Sequence, residues 1–103
     1  MLNYEVNNDL KQIHNENLKY FVIFKFIDNK YQTVVKDFLS NTNDIEVYSE
    51  NVYVSCNLLE LIIAITNLYR KHPELKYSLL SVEILKAVNV LDAMSIFERQ
   101  NLN

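Results

Sequence analysis

A chain of 103 residues with 38 Leu, Ile, Val and Phe has enough apolar material to collapse, which excludes a disordered chain, yet is too short to bury two separate cores. Ten Lys and Arg against thirteen Asp and Glu leave a net charge of −3, with both signs scattered. Neither the basic stripe of a nucleic-acid binder nor a convincing acidic mimic of a phosphate backbone is visible.

One domain over residues 1–103 is therefore expected. Asn8 to Asn17 carries Leu10 and Ile13 on a polar background with Val6 one turn earlier, the pattern of a short amphipathic helix or a mobile arm. Leu18 to Ile27 is crowded with aromatic and β-branched residues and reads as a central strand. Its even face (Leu18, Tyr20, Val22, Phe24, Phe26) suits a core. Its odd face (Lys19, Phe21, Ile23, Lys25, Ile27) is half apolar and must be at least partly covered.

Lys30 to Ser40 places Tyr31, Val34, Val35, Phe38 and Leu39 at helical spacing, with Asp28 or Asn29 as the cap; the alternative is a second strand after an Asp28-Asn29 turn. Ser40 to Asp44 is a loop. Ile45 to Tyr48 and Val52 to Cys56 flank Ser49-Glu50-Asn51 as a hairpin, with Asn51 expected at a positive φ.

Asn57 to His72 predicts a helix with Leu58, Leu61, Ile62, Ile65, Leu68 and Tyr69 on its apolar stripe. Ser55 or Asn57 caps its start, Arg70, Lys71 and His72 suit the negative end of its dipole, and Pro73 stops it. Tyr77 to Lys86 fits either a fourth strand or the first half of a long helix, with the strand favoured. Asn89-Val90-Leu91-Asp92 has the form of a helix start with an acidic third residue, leading to about Gln100.

The order matches the βαββαβ layout of ferredoxin-like domains, with extra terminal helices around a small antiparallel sheet. The alternative is a short β-meander followed by two or three helices.

Glycine is absent, so the loops that cradle phosphates in nucleotide-binding proteins cannot be built in their usual form. The fourteen Asn residues are expected to supply the turns instead, because Asn tolerates the left-handed region best after Gly. An AT-rich coding sequence, as in a low-GC bacterium or its mobile elements, would give the same Asn, Lys, Ile and Tyr richness.

His14, His72 and Cys56 fit no metal-ligand spacing, and no cofactor is expected. Cys56 lies where a strand meets a helix start, a position that favours a thiolate. However, His72 is at the far end of that helix, about 24 Å away, so a packed, slowly reacting Cys56 is expected. The single cysteine and the lack of an apolar stretch in Met1 to Glu16 point to a reduced, cytoplasmic setting. The longest uncharged apolar run, Leu61 to Ile65, is too short to enter a membrane.

Asp28 closes the first strand, where ferredoxin-like nucleases such as the small CRISPR-adaptation family place an acid. The resemblance is one of layout, without a shared motif, and implies a hydrolase only as an alternative. The aromatic strand Tyr20, Phe21, Phe24 and Phe26 is similar to the stacking platforms of RNA-recognition domains, but the basic and Gly positions that such domains use are missing.

What remains is a protein-binding module without catalytic residues, an inhibitor or accessory factor of viral or mobile-element type. Its partner would be another protein or a second copy of itself. A small hydrolase or ligand-binding regulator using Asp28 or Cys56 is the alternative, and RNA binding a weaker one. The partner surface is expected in the C-terminal segment at Val90, Ala93, Met94, Ile96 and Phe97, because apolar residues there run nearly all round the helix. On that reading Ile96→Glu disrupts association more than folding.

Overall fold

Eight residues of high strand preference, Lys19–Phe26, form β1, the strand about which the rest is arranged. The structure is a computed structural model and describes residues 18–100; the expected helix of Asn8 to Asn17 lies outside the described residues. After β1 come α1 (Gln32–Ser40), β2 (Glu46–Val47), β3 (Val52–Ser55) and α2 (Leu58–Lys71). A 3₁₀ turn (Pro73–Tyr77), β4 (Leu79–Ala87) and α3 (Val90–Gln100) follow.

Residues 30–40 are thus mainly helix and residues 77–86 mainly strand. Two local causes decide the second case. Pro73 opens a short 3₁₀ turn that closes at Ser78, and the β-branched Val82 and Ile84 then continue as extended chain.

The sheet has the order β2-β3-β1-β4, and each neighbouring pair is antiparallel. β1 and β2 therefore run the same way with β3 between them, and β3 and β4 run the same way with β1 between them. Two interleaved split βαβ units result, the expected ferredoxin-like layout. The meander alternative fails because β4 crosses over to pair with β1 from Lys19↔Ala87 to Phe26↔Leu79. A register shift between Lys25 and Phe26 marks a bulge beside Leu80. Together with the exposed Lys86 it blunts the outer edge of the sheet against pairing with other strands.

Alternation along β1 builds two cores on opposite faces. Val22 and Phe24 meet Val35 and Leu39 of α1, Tyr53 of β3, and Leu61, Ala64, Ile65 and Leu68 of α2. Phe24 stacks on Phe26 at 5.9 Å and makes a T-shaped contact with Tyr53 at 5.6 Å. On the other face Phe21 and Ile23 join Val52, Val54, Leu85 and Ala87 beneath α3. The cover that the odd face of β1 requires is thus supplied by the C-terminal helix.

Asparagine does its work here through side-chain hydrogen bonds. Asn57 Oδ1 accepts from the Glu60 N–H at 3.1 Å and Asn89 Oδ1 from the Asp92 N–H at 2.9 Å, caps that contribute about 1 kcal/mol each. Two turn expectations are corrected. Among the described residues the only positive φ is that of Asp44, at 68°, so Asn51 is not left-handed; its amide instead donates to the Phe24 carbonyl at 3.4 Å. Nor does Asp28 cap α1. Its carboxylate accepts from the Lys30 N–H at 2.9 Å in a turn before the helix, and Tyr31 at the helix start provides no side-chain cap.

Tyr53 is fully buried, and its hydroxyl donates to the Glu50 carbonyl at 3.1 Å. Burial first, and then the negative charges of Glu50 and Asp37, push its pKa up to about 12 from the usual 10. Burial raises Tyr69 as well. The unfolded chain therefore loses these protons first. The stabilisation from neutral Tyr53 is complete below pH 10 and is lost as pH rises towards 12, a change of about 2 kcal/mol. Urea unfolding at pH 8 to 12 should show this loss, and Tyr53→Phe should flatten it. An equal alkaline slope in the variant would refute the assignment.

Candidate functional site

The positions singled out for chemistry do not assemble into a shared site among the described residues. Asp28 is exposed and engaged in its own turn. His72 packs edge-on against Phe38 at 6.4 Å and lies 3.6 Å from the Glu74 carboxylate. It follows the last residue of α2, whereas Cys56 precedes the first, so the fourteen-residue helix keeps imidazole and thiol about 20 Å apart. His14 lies outside the described residues. Among the described residues no three His, Cys, Asp or Glu side chains come together as a metal site.

Cys56 is exposed, contrary to the packed position expected of it. The β3 backbone turns outward there. Ser55 is the last buried residue of the strand; its hydroxyl accepts from the Asn57 N–H at 3.0 Å and turns the chain into α2. Cys56 borders a shallow depression of about 560 Å³ with Lys19, Asp44, Glu46 and Asn57, where charges of both signs lie side by side.

The aromatic strand offers no stacking platform. Phe21 and Phe24 are buried on opposite faces and Phe26 is half-buried against the first core.

The C-terminal positions have a partner within the chain. Ala93 is fully buried, and Val90, Met94, Ile96 and Phe97 are half-buried against the second core. At 3.6 residues per turn the five side chains fall within roughly 160° of the helix, an arc that one broad sheet face can meet. Ile96 and Ala93 thus point to the same sheet as Val90 and Phe97. The exposed large apolar side chain of α3 is Leu91, at 77%.

An apolar face without a partner among the described residues lies on α2. Leu61, Ala64, Ile65 and Leu68 point into the first core, while Leu59 is 65% exposed, Ile62 44%, Ile63 43% and Leu58 37%. These four form one outward strip over the first half of the helix, continued by the exposed Thr66. Glu60 stands in the first turn and Arg70 and Lys71 in the last. Among the described residues neither Glu60 nor Arg70 forms an ion pair.

The sequence carries a signal for this face. Leu58-Leu59-Glu60-Leu61-Ile62-Ile63 has more apolar residues than an inward stripe can use, so Leu59 and Ile63 fall off the stripe that the spacing predicts. No helix among the described residues is long and apolar enough to cross a membrane. Comparison with known proteins finds no matching protein family, curated protein or solved structure.

Proposed function

We propose that this chain is a non-enzymatic protein-binding module that works through the outer face of α2. The observation that carries the reading is the exposure of Leu58, Leu59, Ile62 and Ile63 on one side of a well-capped helix whose other side is fully buried. Exposed apolar side chains scattered singly are ordinary, but four on consecutive turns of one helix make a contiguous patch of the kind that proteins cover with another chain. A rigid helix presenting such a strip is a ready form of interface, since little order has to be gained on binding.

A small domain with a binding face, and with no catalytic group assembled among the described residues, suits an inhibitor or accessory factor, viral or mobile-element in origin, and that is the role we favour. We place it in the cytoplasm, where an exposed thiol such as Cys56 stays reduced.

A photo-crosslinking side chain placed at Leu59 tests the reading, with the same group at Thr33 on the exposed side of α1 as the control. The expected result in cells that make the protein is a discrete protein adduct from position 59, absent from position 33 and abolished by Ile63→Glu. Equal labelling from the two positions, or an adduct with nucleic acid, would overturn it.

A further inference from the structure

Resting on that reading, we infer that the chain regulates the outer face of α2 itself: residues 2–13 dock on it as a helix antiparallel to α2, and the partner protein binds by displacing them. The chain enters the sheet at the right place. Tyr20 of β1 pairs with Ser55, which precedes the start of α2 by three residues, and Lys19 borders the same depression as Cys56 and Asn57. Residues 1–17, which lie outside the described residues, therefore join the fold beside the first turn of α2. The strip of Leu58, Leu59, Ile62 and Ile63 begins at that turn.

The sequence of the segment matches the face. Leu2, Val6, Leu10 and Ile13 are spaced by four, four and three, so on a helix they fall within about 80° of one another. A helix this short holds its form only when its apolar side is packed against something. From Leu2 to Ile13 the stripe would be about 16 Å long, against about 12 Å for the strip from Leu58 to Thr66. Residues 14–17 span up to about 14 Å when extended, enough to turn the chain back along α2. Because the segment ends at the start of α2, its stripe runs antiparallel, with Ile13 nearest Leu59 and Leu2 towards the second half of the helix.

Other surfaces suit the segment less well. The two faces of the sheet are covered, the first by α1 and α2 and the second by α3. The exposed Ile27, Tyr77 and Leu80 lie at the far end of β1, whose eight residues put them roughly 26 Å from Lys19. Leu91 stands singly on α3.

Tethering sets the strength. A segment joined by a short linker meets its site at an effective concentration in the millimolar range, so a contact too small to hold a separate molecule suffices within the chain. A partner with a larger interface competes with it, and the partner's apparent affinity falls by the fraction of chains in which the face is open.

The photo-crosslinking group at Leu59, irradiated in the purified full chain at low micromolar concentration, tests the docking. The expected product is an adduct within one chain that mass spectrometry maps to residues 2–13. It should be absent when the group is at Thr33, and Leu10→Glu or Ile13→Glu should each reduce it about tenfold. In cells the same two variants should raise the yield of the partner adduct from position 59 about threefold or more, because the face is then open.

An adduct the size of two chains would make a second copy the occupant and overturn the proposal, as would irradiation that leaves residues 2–13 unlabelled. If those residues are unlabelled and the partner adduct still forms, only the docking falls and the protein-binding reading stands. If they are labelled but even Leu10→Glu gives no partner adduct, the face is an internal packing surface, and the regulation falls together with the protein-binding reading.

Discussion

Phe24→Ala should lower the folding free energy by about 3 to 5 kcal/mol, enough to leave the chain largely unfolded if its stability is at the low end for a domain of this size. Phe24 has no exposed surface and occupies the central strand where α1, α2 and β3 converge. Its ring stacks with Phe26 and makes a T-shaped contact with Tyr53. Truncation therefore removes two aromatic contacts and leaves a cavity bordered by side chains that belong to four elements and cannot all move inward. Chemical unfolding followed by far-ultraviolet circular dichroism measures the loss. A change below 1 kcal/mol would mean that the ring is not packed as described.

Ala93→Asp is expected to have a comparable effect on the opposite face. Ala93 has no exposed surface and rests over Phe21, Ile23 and Leu85, where a carboxylate would find no charged partner among the residues of that core. Burying an unpaired carboxylate costs several kcal/mol, so the group must either take up a proton or force α3 off the sheet. Undocking would bare Phe21, Ile23, Val52 and Val54, and aggregation together with strong binding of an apolar dye should follow. Ile96→Glu should act in the same direction but more weakly, because Ile96 is only half-buried. The measurement is a thermal melt of each variant beside wild type. Unchanged melting with lost self-association would return Ala93 and Ile96 to the role of partner contacts.

The two variants mark how far the chain could be read without its tertiary structure. Phe24 was identifiable as core from alternation along Leu18 to Ile27, because a strand with apolar residues on its even positions must turn that face inward. Ala93 was not. Its helix carries Val90, Ala93, Met94, Ile96 and Phe97 over an arc that reads as two sides when the covering surface is imagined as a narrow one. The covering surface is a sheet face, and its breadth comes from the pairing of β4 with β1, which are more than fifty residues apart in the chain.

Cys56 shows the same limit at a smaller scale. A strand-to-helix junction was evident, but the direction of the side chain depends on where the ladder with β1 ends. Turn chemistry was also only half legible. Asn57 and Asn89 were recognisable as caps from the residues that follow them, whereas Asn51 and Asp28 found different hydrogen-bond partners.

By itself the sequence determined the central strand, the hairpin strands and the helices beginning at Asn57 and Asn89, since periods of 2 and 3.6 and the stop at Pro73 are local properties of the chain, while residues 30–40 and 77–86 stayed open between helix and strand. It also determined that both faces of β1 need cover. Only the tertiary structure decided what covers them, and so which apolar side chains are left over. That choice rests on strand order, a consequence of contacts between distant segments. It assigns the C-terminal helix to the second face of the sheet and leaves Leu59, Ile62 and Ile63 of α2 facing outward.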